Sequence, residues 1–221
     1  MHNIKAAIFD LDGTLVDSMW VWEQIDKEYL KEKGHSVPLN LNDKINHLSF
    51  NETALYFKEA FSLEDSLETI MDDWTTMAYI HYSQNIHLKE GALDFLKKLK
   101  SSGIKIGLAT SNSVTLLEAV LKNNNIYSYF DCITTTDEVS NGKDNPDVYL
   151  LAAERLGVHP SQCVVFEDII PAIIGAKAAN MKTIAIFDKA AEHNRDELIN
   201  LADKYILSYN EIIEFVPVKV S

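Results

Sequence analysis

The 221 residues are 47% hydrophobic and 24% charged with no low-complexity stretch, which suits one large folded domain carrying a smaller insertion and excludes a disordered chain. The formal net charge of −13 repels nucleic acid and anionic lipid, so neither is expected as a partner, and any bound phosphate has to be met by local cations. No apolar run reaches the roughly 18 residues of a membrane helix, and Lys5 and Asp10 come too early for a secretory leader, so a cytoplasmic location is expected.

The first apolar run, residues 4–9, reads as a buried strand and leads directly into Asp10-Leu11-Asp12-Gly13-Thr14. Two carboxylates spaced i, i+2 at a strand end can face the same side, with Leu11 turned back to the core and Gly13 allowing a sharp exit. More than 90 residues then pass before the next strand-like run. A loop of that length does not fit a compact domain. Residues 19–33, 51–61 and 64–83 have amphipathic helical patterns, so residues 17–87 are expected to form a helical insertion, with the core built from 1–16 and 88–221. Asp17 and Ser18 are expected to cap and hinge the first inserted helix. His47, in the loop that follows, is a candidate specificity residue.

The core resumes with a helix at 90–100, stopped by Gly103, and a strand at 104–109 that runs into Thr110-Ser111-Asn112. A hydroxyl at a strand end and amides at the following helix start can donate to a phosphate oxygen. A helix at 114–122 and a strand at 132–134 come next. Lys143 precedes Pro146-Asp147 and a helix at 147–156 that stops at Gly157. The strand at 163–166 delivers Glu167 and Asp168, and a small, Ala-rich helix at 171–179 leads to a fifth strand at 183–187. Nearly continuous apolar strands alternating with helices imply an α/β fold with a doubly wound parallel sheet. Cys132 and Cys163 form no CxxC pair and are expected to be reduced, buried hydrophobes.

In an open α/β sheet the carboxyl ends of the strands hold the ligand. Acids clustered there call for a hard cation, and magnesium suits oxygen ligands of this kind. Asp10-x-Asp12-Gly13-Thr14 resembles the first motif of the haloacid dehalogenase superfamily in its phosphatase branch. Thr110, Gly142-Lys143 with Pro146-Asp147, and Glu167-Asp168 resemble the next three motifs in order. Overall the chain looks most like the β-phosphoglucomutase and phosphoglycolate phosphatase group. The resemblance implies a Rossmann-like core with a helical cap after the first strand, and a phosphatase acting on a small phosphorylated metabolite. In that family the first Asp is the nucleophile and the second is general acid and base. Carried over, Asp10 attacks phosphorus, Asp12 moves the protons, and Thr110, Ser111, Asn112 and Lys143 grip the phosphoryl group. Magnesium is held by Asp10, the Asp12 carbonyl, Glu167 and Asp168. A monomer or at most a dimer is expected.

The departures narrow the activity. Asp144 replaces a proline of the third motif, and residues 169–173 lack the further acid that many relatives carry. The mutases of the group have a cap His and a cap Arg where this chain aligns Trp22 and Phe50, so hydrolysis is expected over phosphoryl transfer between sugars. Trp20, Trp22 and Phe50 suit either a substrate pocket or the cap's own core. A mutase remains the alternative enzyme. A phospho-acceptor signalling domain is the non-enzyme alternative, although such domains are about half this length and do not open with Asp-x-Asp.

Overall fold

The computed structural model describes residues 3–39, 41–45 and 50–215. They fall into two compact units, one comprising residues up to 19 together with those from 86 onward, the other residues 20–85.

The larger unit is built on a six-stranded, wholly parallel sheet: β1 (Ala6–Phe9), β2 (Lys105–Thr110), β3 (Cys132–Thr135), β4 (Cys163–Glu167), β5 (Lys182–Ile186) and β6 (Lys204–Ile206). The spatial order is β3-β2-β1-β4-β5-β6. The chain winds outward from β1 in one direction, then returns to β4 and winds in the other. The switch point lies between β1 and β4, where an open sheet splays its connections apart and leaves a crevice.

Every residue of β1 and β4 is buried, and pleat alternation sorts their side chains onto two faces. Ala6 and Ile8 pack with Cys163 and Val165 against buried residues of two later helices. The other face is aromatic. Phe9 and Phe166 are register partners whose rings stack at 4.6 Å, and Phe95 and Tyr209 close over them. This pairing holds the ends of β1 and β4 side by side, and the Asp10 amide adds a bond to the Phe166 carbonyl.

The smaller unit contains α1 (Trp20–Glu32), α2 (Leu41–Ile45), α3 (Phe50–Ala60) and α4 (Leu67–Gln84). Its core is aromatic, with Tyr29, Phe57 and Trp74 in mutual edge contacts of 4.9–6.4 Å. Ser66 caps α4, its Oγ accepting from the Thr69 amide at 3.1 Å. Trp20, Trp22 and Phe50 are partly exposed, by 40%, 39% and 43%, with the Phe50 ring 5.6 Å from that of Trp74 at the edge of this core. Among the described residues no helix is long and apolar enough to cross a membrane.

The remaining helices belong to the sheet unit: α5 (Ala92–Ser101), α6 (Val114–Asn123), α7 (Asp147–Leu156), α8 (Ile170–Ala178) and α9 (Arg195–Leu201). The chain leaving β1 and the chain returning toward α5 pair with each other. The Asp17 amide donates to the His87 carbonyl at 3.0 Å and the Lys89 amide to that of Leu15 at 2.9 Å. Lys89 also reaches across to the end of β5, where its Nζ donates to the Asp188 carboxylate at 2.6 Å and to the Phe187 carbonyl at 2.8 Å.

One expectation about caps changes. Helix α1 begins at Trp20, and Ser18 is buried, facing away from a capping role. Helix α6 is capped by Ser113, whose Oγ accepts from the Leu116 amide. Cys163 is buried but Cys132 is only half-buried, and both are free thiols that burial pushes up to about 11.

Candidate active site

The carboxyl ends of β1, β2 and β4 and the segment before α7 bring together the chemistry-bearing residues of four separate sequence motifs. Asp10 follows β1 directly and is 6% exposed. Leu11 is fully buried, as the i, i+2 spacing requires, and Asp12 emerges half-buried. Gly13 then turns at φ +80°, a left-handed conformation in which a Cβ would run into the Asp168 carboxylate. The turn brings Thr14 over the end of β4, where its Oγ1 donates to Asp168 Oδ1 at 3.0 Å.

Lys143 enters from the loop before α7. Its Nζ donates to Asp10 Oδ1 and, at 2.7 Å, to Glu167 Oε1. A glycine on α8 makes this placement possible: any Cβ at Gly175 would overlap the carbonyl oxygens of Lys143 and Asn145. Lys143 is buried, and burial alone would depress its ammonium. The negative charges of Asp10 and Glu167 outweigh that cost and hold it protonated.

The neighbouring groups divide into two sets. Asp12 Oδ1 accepts from Ser18 Oγ at 2.6 Å and its Oδ2 from Asn112 Nδ2 at 2.7 Å. Asn112, expected to donate to phosphate, thus gives one N–H to a carboxylate. Thr110 is buried at the end of β2 with its Oγ1 accepting from the Asn112 amide at 3.0 Å, which leaves its own proton to point outward. Ser111 is exposed beside it. His47 lies outside the described residues.

The second set is a buried acidic cluster. Asp10, Glu167 and Asp168 each offer a carboxylate oxygen, and the three lie within 4.8 Å of one another. Burial, reinforced by the neighbouring carboxylates, raises all three: Glu167 to about 8, Asp168 to about 7, and Asp10 in the same direction. One lysine does not balance three acids, so full ionisation would leave uncompensated negative charge where solvent is excluded, and a cation there would favour the ionised form. Glu167 sharpens the point. Its Oε1 takes two hydrogen bonds, from Lys143 and from Tyr149 Oη at 2.8 Å, while its buried Oε2 accepts none among the described residues. Hard oxygen donors, a surplus of acids and an unsatisfied buried oxygen fit a magnesium ion.

Sequence reasoning missed four residues in and around this constellation. Thr14 stands inside the first motif, so its neighbourhood was the available signal. Ser18 was read only as a helix start. Nothing local marks Tyr149, which reaches Glu167 through the packing of α7 across the sheet. Asp188, after β5, was also missed; it is buried against Lys89, and its charge contributes to the rise of Asp168.

The family pattern of the haloacid dehalogenase-like hydrolases matches residues 7–186. The chain belongs to the haloacid dehalogenase-like hydrolases. Among these hydrolases it is similar to the phosphorylated carbohydrates phosphatase of Thermotoga maritima, at 31% identity over 181 residues, spanning 82% of this chain and 84% of that one. It is also similar to hexitol phosphatase B of Escherichia coli, at 28% identity over 217 residues, 96% of this chain and 95% of the other. A solved structure of a candidate β-phosphoglucomutase from Thermotoga maritima superposes with a TM-score of 0.84 at 28% identity, covering 96% of this chain and 98% of its own. The haloacid dehalogenase-like core accounts for the convergence of four motifs on the switch point between β1 and β4.

Proposed function

We propose that this protein is a magnesium-dependent phosphatase that hydrolyses a small phosphorylated metabolite through a phospho-aspartate on Asp10. That it is a phosphoric monoester hydrolase rests on the family and on relatives named as phosphatases. The observation that carries the finer reading is the buried Asp10–Lys143–Glu167–Asp168 cluster, with the half-buried Asp12 two residues from the nucleophile.

Asp10 attacks phosphorus, the bond to the ester oxygen breaks, and Asp12 gives its proton to the departing alkoxide. Water then attacks the aspartyl phosphate as Asp12 takes its proton, releasing inorganic phosphate and restoring Asp10. Ser18 and Asn112 orient Asp12 for both transfers. Lys143 holds Asp10 against the negative charge of the phosphoryl group, and Thr110 and Ser111 supply donors to its oxygens. Magnesium bound at Asp10, Glu167, Asp168 and the Asp12 carbonyl would neutralise phosphate charge and so let a carboxylate approach phosphorus. Turnover of an aryl phosphate is expected to vanish in EDTA and return on adding magnesium. Full activity in EDTA would remove the metal from this reading.

Hydrolysis is favoured over mutase chemistry by the cap residues. Trp22 cannot accept a proton, and Phe50 cannot grip a second phosphate as an arginine fork does. β-Glucose 1-phosphate, with or without the 1,6-bisphosphate, is expected to yield free phosphate and no accumulation of glucose 6-phosphate. Efficient glucose 6-phosphate formation with little phosphate released would make the protein a mutase.

A further inference from the structure

We propose that Tyr149 is a positioning residue for the metal site, acting through Glu167. The inference rests on the magnesium-dependent reading above and adds a residue that no motif contains. Glu167 is buried at the end of β4, and its two oxygens have unequal surroundings. Oε1 accepts from both Lys143 Nζ and Tyr149 Oη, whereas Oε2 accepts no hydrogen bond among the described residues. Two donors on one oxygen fix the rotation of the carboxylate and dedicate the other oxygen to an incoming cation.

Lys143 cannot do this alone, because its ammonium is shared with Asp10. Among the described residues Tyr149 donates its hydroxyl to Glu167 alone. It is fully buried near the start of α7, and its ring packs among Ala6, Ile8 and Val165 of the sheet. A phenol clamped in that way is a fixed donor, and a donor to a metal-binding carboxylate sets both its orientation and its basicity.

Removing only the hydroxyl isolates this role. Tyr149→Phe keeps the ring and its packing, and titration calorimetry with magnesium or manganese alone on the substrate-free protein reads the ion directly. The expected result is binding weakened by about 10-fold, within the range typical of lost outer partners of metal ligands. At saturating magnesium the KM for the best phosphate monoester should be unchanged and kcat altered by no more than about threefold. In a Glu167→Gln background the same change should add less than about twofold, since the carboxylate it acts on is gone. The metal-free melting temperature of each variant separates a folding defect from a metal defect.

Equal affinity for both ions in Tyr149→Phe and wild type overturns the inference and leaves the phosphatase reading intact. An equally large effect in the Glu167→Gln background also overturns it, because Tyr149 would then act by another route. Absence of any divalent-ion binding by the wild type removes the magnesium reading and this inference together.

Discussion

Asp10→Asn is expected to abolish turnover, by on the order of 10⁴-fold or more, the scale on which enzymes lose a covalent nucleophile. An amide has no charged oxygen to form the aspartyl phosphate, so no phosphoenzyme should form when the variant is mixed with substrate and quenched in acid. The fold should survive. Asp10 is one of three buried acids facing a single lysine, and removing its charge relieves like-charge repulsion while Lys143 keeps Glu167 as a partner. The metal-free melting temperature of the variant is therefore expected to equal or exceed that of the wild type. An inactive protein that also melts early would indicate lost structure. Near-normal turnover would exclude a covalent intermediate on this residue.

Asp12→Asn is expected to cost about 10²–10⁴-fold, the usual contribution of a general acid–base group. The substitution is close to silent structurally. The Ser18 hydroxyl can accept as well as donate, so an asparagine can turn its amide toward Ser18 and present its carbonyl to Asn112. What disappears is the proton. Phosphoryl transfer from a nitrophenyl ester needs little protonation of its leaving group, whereas transfer from an alkyl ester depends on it. The variant should thus release a burst of nitrophenolate close to one equivalent of enzyme and then stall as phosphoenzyme, because no base activates water. Alkyl esters should show no burst. Equal impairment with both ester types, and no accumulated phosphoenzyme, would take the acid–base role away from Asp12.

The parts of the fold that were legible in the sequence are those whose signal is local and repeated. Strands β1 and β4 are buried throughout, β2 and β5 are buried beyond a first exposed lysine, and all four are dominated by apolar residues. β6 was missed because it is three residues long at the sheet edge and passes from exposed Lys204 to buried Ile206, a pattern shared with loops. Helix α2 has five residues and α9 seven, too few for a period to declare itself. At the site, residues at strand ends were visible because an apolar strand stopping at an acid is unusual. The bonds from Thr14 to Asp168 and from Tyr149 to Glu167 were not, since they depend on register between β1 and β4 and on how α7 lies across the sheet. Ser18 was noticed only as a helix start, a place such residues serve so often, and the bonds that Ser18 and Asn112 give to Asp12 depend on the fold. Trp22 and Phe50 show the same limit. Their apolar character was plain, but only the structure put them in edge contact at 5.8 Å on the surface of the helical unit.

The paired crossings at residues 15–17 and 87–89 have a bearing on how such a chain diversifies. Backbone hydrogen bonds join the outgoing and returning segments within the sheet unit itself, and Val16 bridges Leu88. Antiparallel partners of this kind sit about 5 Å apart at their α-carbons. The sheet unit therefore presents a closed socket with two adjacent ends, and whatever is spliced between them meets a boundary condition that does not depend on its length. Closing a longer loop across such a gap costs only about 0.6 kcal/mol for each doubling. Inserted segments of very different size can be exchanged at this socket while the strands that carry the acids keep their register.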